Sequence, residues 1–466
     1  MKSFFSRSRE LISFTLPVAG SMFFNIFSSV VPMFFVAQLG KSELAAAALA
    51  SSCFVTLLTL GRGFFNVIGI MIGHERGKQE SGERYIGEIF RNGMVLALVI
   101  GILILFLMWS MAKLLLWFGQ SPVLVSLSRG YLYYAGWALL FVILNQTIQQ
   151  FYMAMGYPRV SFWMAACGAP VTIIMSYLLV FGFLGFPKMQ LAGVMGAVLI
   201  TQISTFITGI SMILFSKFKQ THQLLGSKGW VNRVIIKKMF SLGLPISIQS
   251  GAEMIAITLT TFFMGWYGAD ALAATNVVNQ YVVLFVAFYV GCSQAVAILS
   301  SHALAAKNYA LIRQYATTGI GLMSILFIAV SVIFLLFPHV LISLFMNRAH
   351  AHLHAEIYHL GSVFFLIAVF MNYADSVRYI ITGSYRGLHD SKRPMLIGVV
   401  GLCIVSVGGS YLLGYVLGEG AVGVRIGLAL GIISAAVYML YDLFYGHLSQ
   451  KLKQPSQVIE SAVRLK

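Results

Sequence analysis

Long apolar runs separated by short polar loops restrict what this chain can fold into more than any other feature. Twelve such stretches occur, at approximately 11–38, 44–73, 92–118, 130–155, 160–184, 191–216, 239–266, 271–301, 316–346, 358–384, 395–417 and 422–446. A bilayer core of about 30 Å takes about 20 apolar residues in helical form, because backbone N–H and C=O groups find no water partners there. With 59% hydrophobic and 10% charged residues, the chain cannot keep its apolar surface out of water as a soluble domain does. The alternating polarity of an outer-membrane barrel is absent. The expected fold class is therefore an all-α integral membrane protein with twelve transmembrane helices.

An internal repeat organises those helices. Pro17, Gly40, Leu44-Ala45-Ala46 and His74 recur as Pro245, Gly268, Leu272-Ala273-Ala274 and His302 at a constant spacing of 228 residues. Ser13, Leu16, Phe34 and Phe35 match Ser241, Leu244, Phe262 and Phe263 at the same offset. A duplicated apolar unit is a common build for transporters. The pattern predicts two pseudo-symmetric six-helix lobes around a central cavity: 1–216, a cytoplasmic linker 217–238, 239–448, and a cytoplasmic tail 449–466. Within the linker, the mixed basic and bulky residues from Trp230 to Phe240 fit either an interfacial helix or an early start to the seventh span.

The formal charge is +17, and its distribution answers the question of nucleic acid. Loops on one side hold most of the basic residues, among them Arg7, Arg9, Arg76, Lys78, Lys237, Lys238, Arg386 and Arg393, whereas Lys41, Arg129, Lys188 and Arg348 fall on the other. The positive-inside rule then puts both termini in the cytoplasm, and the charge is spent on topology and lipid headgroups, so no nucleic-acid partner is expected. The first apolar run is too long for a cleaved signal peptide and reads as a span. Cys53, Cys167, Cys292 and Cys403 lie in apolar spans and imply neither a disulfide framework nor a metal cluster.

Chemistry is sought where ionisable residues fall deep inside spans, since each costs roughly 2.5–3.5 kcal/mol there. Glu253 lies near the middle of the seventh span, roughly 22 Å of helix from either end, and Asp375 lies roughly 16 Å from the cytoplasmic end of the tenth. A buried carboxyl can be neutral by protonation or ionised beside Na⁺, the switch a cation-coupled carrier needs. Both are candidate ion-coupling residues. Arg378 follows Asp375 by three positions and fits a salt bridge on the same helix face. Such a pair would favour the ionised form of Asp375 and leave Glu253 the better proton carrier. Asn276, Asn279 and Gln280 share a face of the eighth span, as substrate or ion ligands or as interhelical glue. The amides Asn145, Gln146, Gln149 and Gln150 carry the same ambiguity in the first half. Arg62 is the one arginine deep in that half and reads as a cavity wall, a backbone-carbonyl partner or a substrate contact. His350, His352, His354 and His359 read as a solvated loop rather than a metal site. Motifs of ATPases, serine hydrolases and zinc peptidases are absent, so an enzyme is not expected and energy must come from an ion gradient or a partner.

The segments Leu16-Pro17, Leu39-Gly40 and Leu44-Ala45-Ala46, then Gly243-Leu244-Pro245 with Glu253, and Asp375 followed by Gly383-Ser-Tyr-Arg-Gly-Leu-His-Asp390, resemble the MATE multidrug and toxic compound extrusion family, its bacterial NorM-like branch above all. Met155-Gly156 and Ala192-Gly193-Val-Met-Gly196 extend the resemblance over nearly the whole chain. It implies a Na⁺- or H⁺-coupled antiporter of the bacterial inner membrane, without a cofactor and read as monomeric. Such a protein exports cationic, aromatic small molecules by alternating access, with Glu253 and Asp375 on the acidic positions of the C-terminal lobe. One departure stands out. Where many relatives carry an aspartate late in the first span this chain has Pro32, which puts N-lobe coupling schemes in doubt and fits a bend beside the cavity. The alternatives are a flippase of the same superfamily for a lipid-linked precursor, and a membrane-embedded enzyme or receptor.

Overall fold

A computed structural model describes residues 2–78, 82–216, 231–344, 355–446 and 449–450. Among these, twelve helices are long and apolar enough to cross a membrane, and no strand occurs. The spans are Ser6–Ala37, Lys41–Arg76, Tyr85–Trp117, Pro122–Ala154, Pro158–Phe181, Leu191–Phe215, Arg233–Gly265, Ala269–Ala305, Tyr309–Leu336, Glu356–Gly387, Lys392–Val416 and Gly420–Phe444. The expected all-α membrane fold is the observed one.

The chain divides into two compact units, one of residues 20–247 and one of residues 1–19 with 248–466. Each is built around one central helix. In the first unit the fourth span packs against the second, third and sixth; in the second unit the tenth packs against the eighth, ninth and twelfth. These are equivalent sets, six helices apart, so the sequence repeat corresponds to a repeated packing plan. The repeated glycines serve it: Gly40 and Gly268 precede the second and eighth spans with φ of 144° and 98°, a region that side-chain-bearing residues rarely adopt. Of the linker and tail expected from sequence, 217–230 and 451–466 lie outside the described residues, as do His350, His352 and His354.

Several boundaries differ from the hydropathy reading for local reasons. The first helix begins at Lys2, well before residue 11. Its polar opening turns find partners on the ninth span, where Arg7 hydrogen-bonds Gln314 and Tyr315 donates to Glu10 at 3.0 Å. The seventh helix starts at Arg233, so the basic segment after Trp230 is its first turns and not a separate interfacial helix. Asn232 accepts from the Val234 amide at 3.0 Å and caps it, as an N-terminal Asn does. The ninth span ends at Leu336, ten residues before the expected 346, because Pro338 has no N–H and opens a short separate helix, Pro338–Ser343,. The first helix continues through buried Pro32.

The eleventh span departs from plain α-helix. It is π-helical at Val400–Ser406 and Leu412–Val416. Ser406 and Ser410 donate to the carbonyls of Leu428 and Val424 on the twelfth span at 3.0 and 2.9 Å. Glycines allow that approach, since a Cβ on Gly427 would lie 2.2 Å from the Ser410 nitrogen. Small residues with interhelical hydrogen bonds are how helices associate without a hydrophobic driving force.

Candidate ion-coupling site

Three helices of the second unit bring together a buried charge cluster. Glu253 comes from the seventh span, Tyr289 from the eighth, and Asp375, Arg378 and Tyr379 from the tenth. Arg378 sits between the two carboxylates. Its Nη2 is 2.7 Å from Glu253 Oε1 and 2.7 Å from Asp375 Oδ1, and its Nε donates to Asp375 Oδ1 at 2.8 Å. The outer carboxylate oxygens are taken by phenols: Tyr379 donates to Glu253 Oε2 at 2.7 Å and Tyr289 to Asp375 Oδ2 at 2.6 Å. The guanidinium carbon also lies 4.6 Å from the centre of the Tyr379 ring, within cation–π range.

Burial grades across the cluster. Side-chain exposure is 1% for Arg378, 10% for Asp375 and 20% for Glu253, so Glu253 is the open end. Charges this deep persist only when paired and hydrogen-bonded, and every carboxylate oxygen here has a donor. Two carboxyls share one guanidinium, so the acidic groups outnumber the fixed cation by one. Such a cluster can take up a cation or a proton, or exchange it for a cationic ligand.

The sequence-predicted pair of Asp375 and Arg378 is present, but Arg378 does not leave Glu253 free. It bridges both acids, because residue 378 lies a turn beyond Asp375 on the tenth helix and faces the seventh. Asn276 and Gln280 are exposed and do not hydrogen-bond to the cluster. Asn279 accepts from Arg425 at 3.0 Å, a buried partner on the twelfth span. Pro32 lies in the other unit. Sequence reasoning missed Tyr289 and Tyr379. A phenol deep in an apolar span needs a hydrogen-bond partner, and that was the available signal. Arg386, in the last turn of the tenth span, donates from its Nη2 to Gln249 at 3.0 Å. Among the described residues, no group of three or more His, Cys, Asp or Glu side chains could hold a metal ion.

The repeat does not extend to this chemistry. At the 228-residue offset Glu253 corresponds to Asn25 and Asp375 to Thr147. Asn25 donates to the Ser21 carbonyl at 2.7 Å and Thr147 to the Ile143 carbonyl at 3.4 Å, each within its own helix.

The MatE family model matches residues 17–178 and 245–412, one match in each half of the repeat. The chain belongs to the MatE family. Proteins called "Probable multidrug resistance protein NorM" are similar along nearly their whole length. The one from Synechocystis sp. is 25% identical, with 94% of each chain covered, and the one from Rhizobium meliloti is 27% identical, with 92% of this chain and 91% of that one covered. Among solved structures, the outward-facing conformation of a multidrug resistance MATE family transporter of the MOP superfamily aligns with a TM-score of 0.83 at 17% identity over 96% of both chains. That likeness of fold supports the twelve-helix architecture of this MatE member.

Proposed function

We propose that this protein is a cation-coupled antiporter that exports cationic, aromatic or drug-like compounds across the bacterial plasma membrane by alternating access, and that Glu253 and Asp375 bind the coupling ion. The chain is a secondary transporter and not an enzyme. Membership of the MatE family and the similarity to proteins named as multidrug resistance transporters support the export of drugs. The observation that carries the coupling role is the placing of two deep carboxylates on one guanidinium with an open end at Glu253.

In this reading Arg378 acts as a resident cation that pairs with both acids while no ion is bound. A proton or Na⁺ reaching Glu253 removes its need for Arg378, which then rests on Asp375 alone. The change in charge and in the tie between the seventh and tenth helices is a differential interaction that can bias a two-state equilibrium. Both termini are assigned to the cytoplasm on the distribution of basic residues. A flippase for polyanionic precursors is not favoured, because Arg378, one of the two deep arginines it would use, is taken up by two carboxylates.

The test is efflux of ethidium and of a fluoroquinolone from vesicles, with the Na⁺ and proton gradients collapsed separately. Glu253→Gln is expected to insert normally and to lose gradient-driven efflux. Efflux by that variant at the wild-type rate would remove Glu253 from the mechanism.

A further inference from the structure

Two side-chain hydrogen bonds join the seventh and tenth helices. One is the bond from Arg378 to Glu253 at 2.7 Å, inside the charge cluster. The other runs from Arg386 Nη2 to Gln249 Oε1 at 3.0 Å. Gln249, only 3% exposed, precedes Glu253 by four residues, so the two acceptors share a helix face and lie roughly 6 Å apart along the axis. With both termini assigned to the cytoplasm, the second bond stands on the cytoplasmic side of the cluster.

Arg386 is a cation without an acid of its own. Among the described residues it makes no salt bridge, and its Nε is enclosed without a hydrogen-bond partner. The acids near the same helix ends are engaged elsewhere: Asp390 accepts from the Arg393 amide at 3.5 Å, and Asp442 pairs with the Arg393 side chain at 3.5 Å. What acts on the Arg386 guanidinium is the cluster, through electrostatic interactions with Tyr379, Glu253 and Arg378. A neutral amide acceptor satisfies one of its N–H groups without cancelling its charge, which an arginine keeps in proteins. The acidic groups of the cluster outnumber Arg378 by one, and Arg386 supplies the missing positive charge without filling the open end at Glu253.

The first copy of the repeat lacks both members of this pair. Gln249 corresponds to Ser21 at the 228-residue offset, and the three-residue shift that sets Gly387 on Gly156 sets Arg386 on Met155. The same shift sets Asp375 on Leu144. The amide, the second arginine and the carboxylates therefore occur together in one copy, which a packing contact common to both halves would not require.

We propose that Arg386, held by Gln249, is a second fixed cation of the ion site, and that it sets how tightly the coupling ion is bound and so how readily it leaves. A positive charge one turn from Glu253 opposes an arriving proton or Na⁺. It lowers affinity without touching the ion, and a carrier must release its ion as well as bind it. The inference rests on reading Glu253 and Asp375 as the groups that bind that ion.

Ethidium efflux from vesicles holding the purified full-length protein tests it, with the rate measured against the concentration of whichever ion sustains wild-type efflux. Arg386→Gln is expected to lower the half-maximal ion concentration by about threefold or more, the scale of one charge removed at this separation. Its maximal rate should fall as well, because a more tightly held ion leaves more slowly. Arg386→Lys keeps the charge and should return the half-maximal concentration to within about twofold of the wild type. An unchanged or raised half-maximal concentration in Arg386→Gln overturns the proposal, as does a failure of Arg386→Lys to restore it. If Arg386→Gln does not give monodisperse protein, Gln249→Glu decides the matter: an acid at that position neutralises Arg386 and should lower the half-maximal concentration in the same way. Glu253→Gln in the same assay separates the two readings. Loss of ion-driven efflux there, with the ion dependence of Arg386→Gln unchanged, removes only the role of Arg386, whereas wild-type efflux by Glu253→Gln removes the coupling site on which that role rests.

Discussion

Arg378 Nη2 lies 2.7 Å from Glu253 Oε1 across 125 positions of sequence, and this bond ties the seventh helix to the tenth through a buried charge. Removing the guanidinium leaves two acids facing each other with no cation. Arg378→Gln is therefore expected to lower stability by about 3–5 kcal/mol, the range for breaking a buried ion pair on one side. Adding Glu253→Gln should restore part of that loss, because the second change removes one of the two stranded charges. Thermal melts of the single and double variants in detergent check this. Additive losses would mean that the two residues are not coupled.

The two phenols donate to opposite ends of the cluster and are predicted to behave differently. Tyr379→Phe removes a hydrogen bond to the more open acid, Glu253, worth about 1.5–3 kcal/mol when charge-assisted. It should alter the ion concentration needed for half-maximal efflux more than it alters the melting temperature. Tyr289, only 2% exposed, supports Asp375 from the interior, so Tyr289→Phe should act mainly on stability. Identical ion dependence in the wild type and Tyr379→Phe would place that phenol outside the coupling step.

Access orders the carboxylates. Glu253 keeps 20% of its side chain exposed and Asp375 10%, and Asp375 Oδ1 meets Arg378 through two nitrogens. A hydrophobic carbodiimide is expected to label Glu253 before Asp375, with Na⁺ or acidification changing the rate at Glu253 first. Peptide mapping by mass spectrometry reads the order. Faster labelling of Asp375 would reverse the entry route.

The contact between the eleventh and twelfth helices depends on missing side chains. A Cβ on Gly427 would stand 2.2 Å from the Ser410 nitrogen and 2.4 Å from the Gly409 carbonyl carbon, both backbone atoms that cannot swing aside. Gly427→Ala should sharply reduce the yield of monodisperse protein. Gly321, in the ninth span, has nothing within 4 Å of its missing Cβ, so Gly321→Ala should be neutral or stabilising by up to about 1 kcal/mol. Size-exclusion profiles and melting temperatures of the two variants test the contrast.

Much of the fold was legible because hydropathy and repetition are properties of the chain itself. Twelve apolar runs and the 228-residue repeat led to twelve helices in two units with equivalent packing. Errors arose where a single residue overrides hydropathy: Pro338 ends the ninth span, and Asn232 starts the seventh. Glu253, Asp375 and Arg378 were legible one by one, because a charge in an apolar run is conspicuous. Tyr289 and Tyr379 were not, since phenols are common in membrane helices and their importance depends on which partner they meet.

From sequence alone came the membrane environment, the number of spans, the repeat, and the asymmetry that puts both deep carboxylates in the second copy. These follow from the cost of exposing apolar surface to water and of burying charge in lipid, which composition and spacing already express. The tertiary structure decided that one arginine, Arg378, serves both acids. That outcome depends on contacts between helices far apart in the chain, at distances of a few ångströms that no linear pattern encodes.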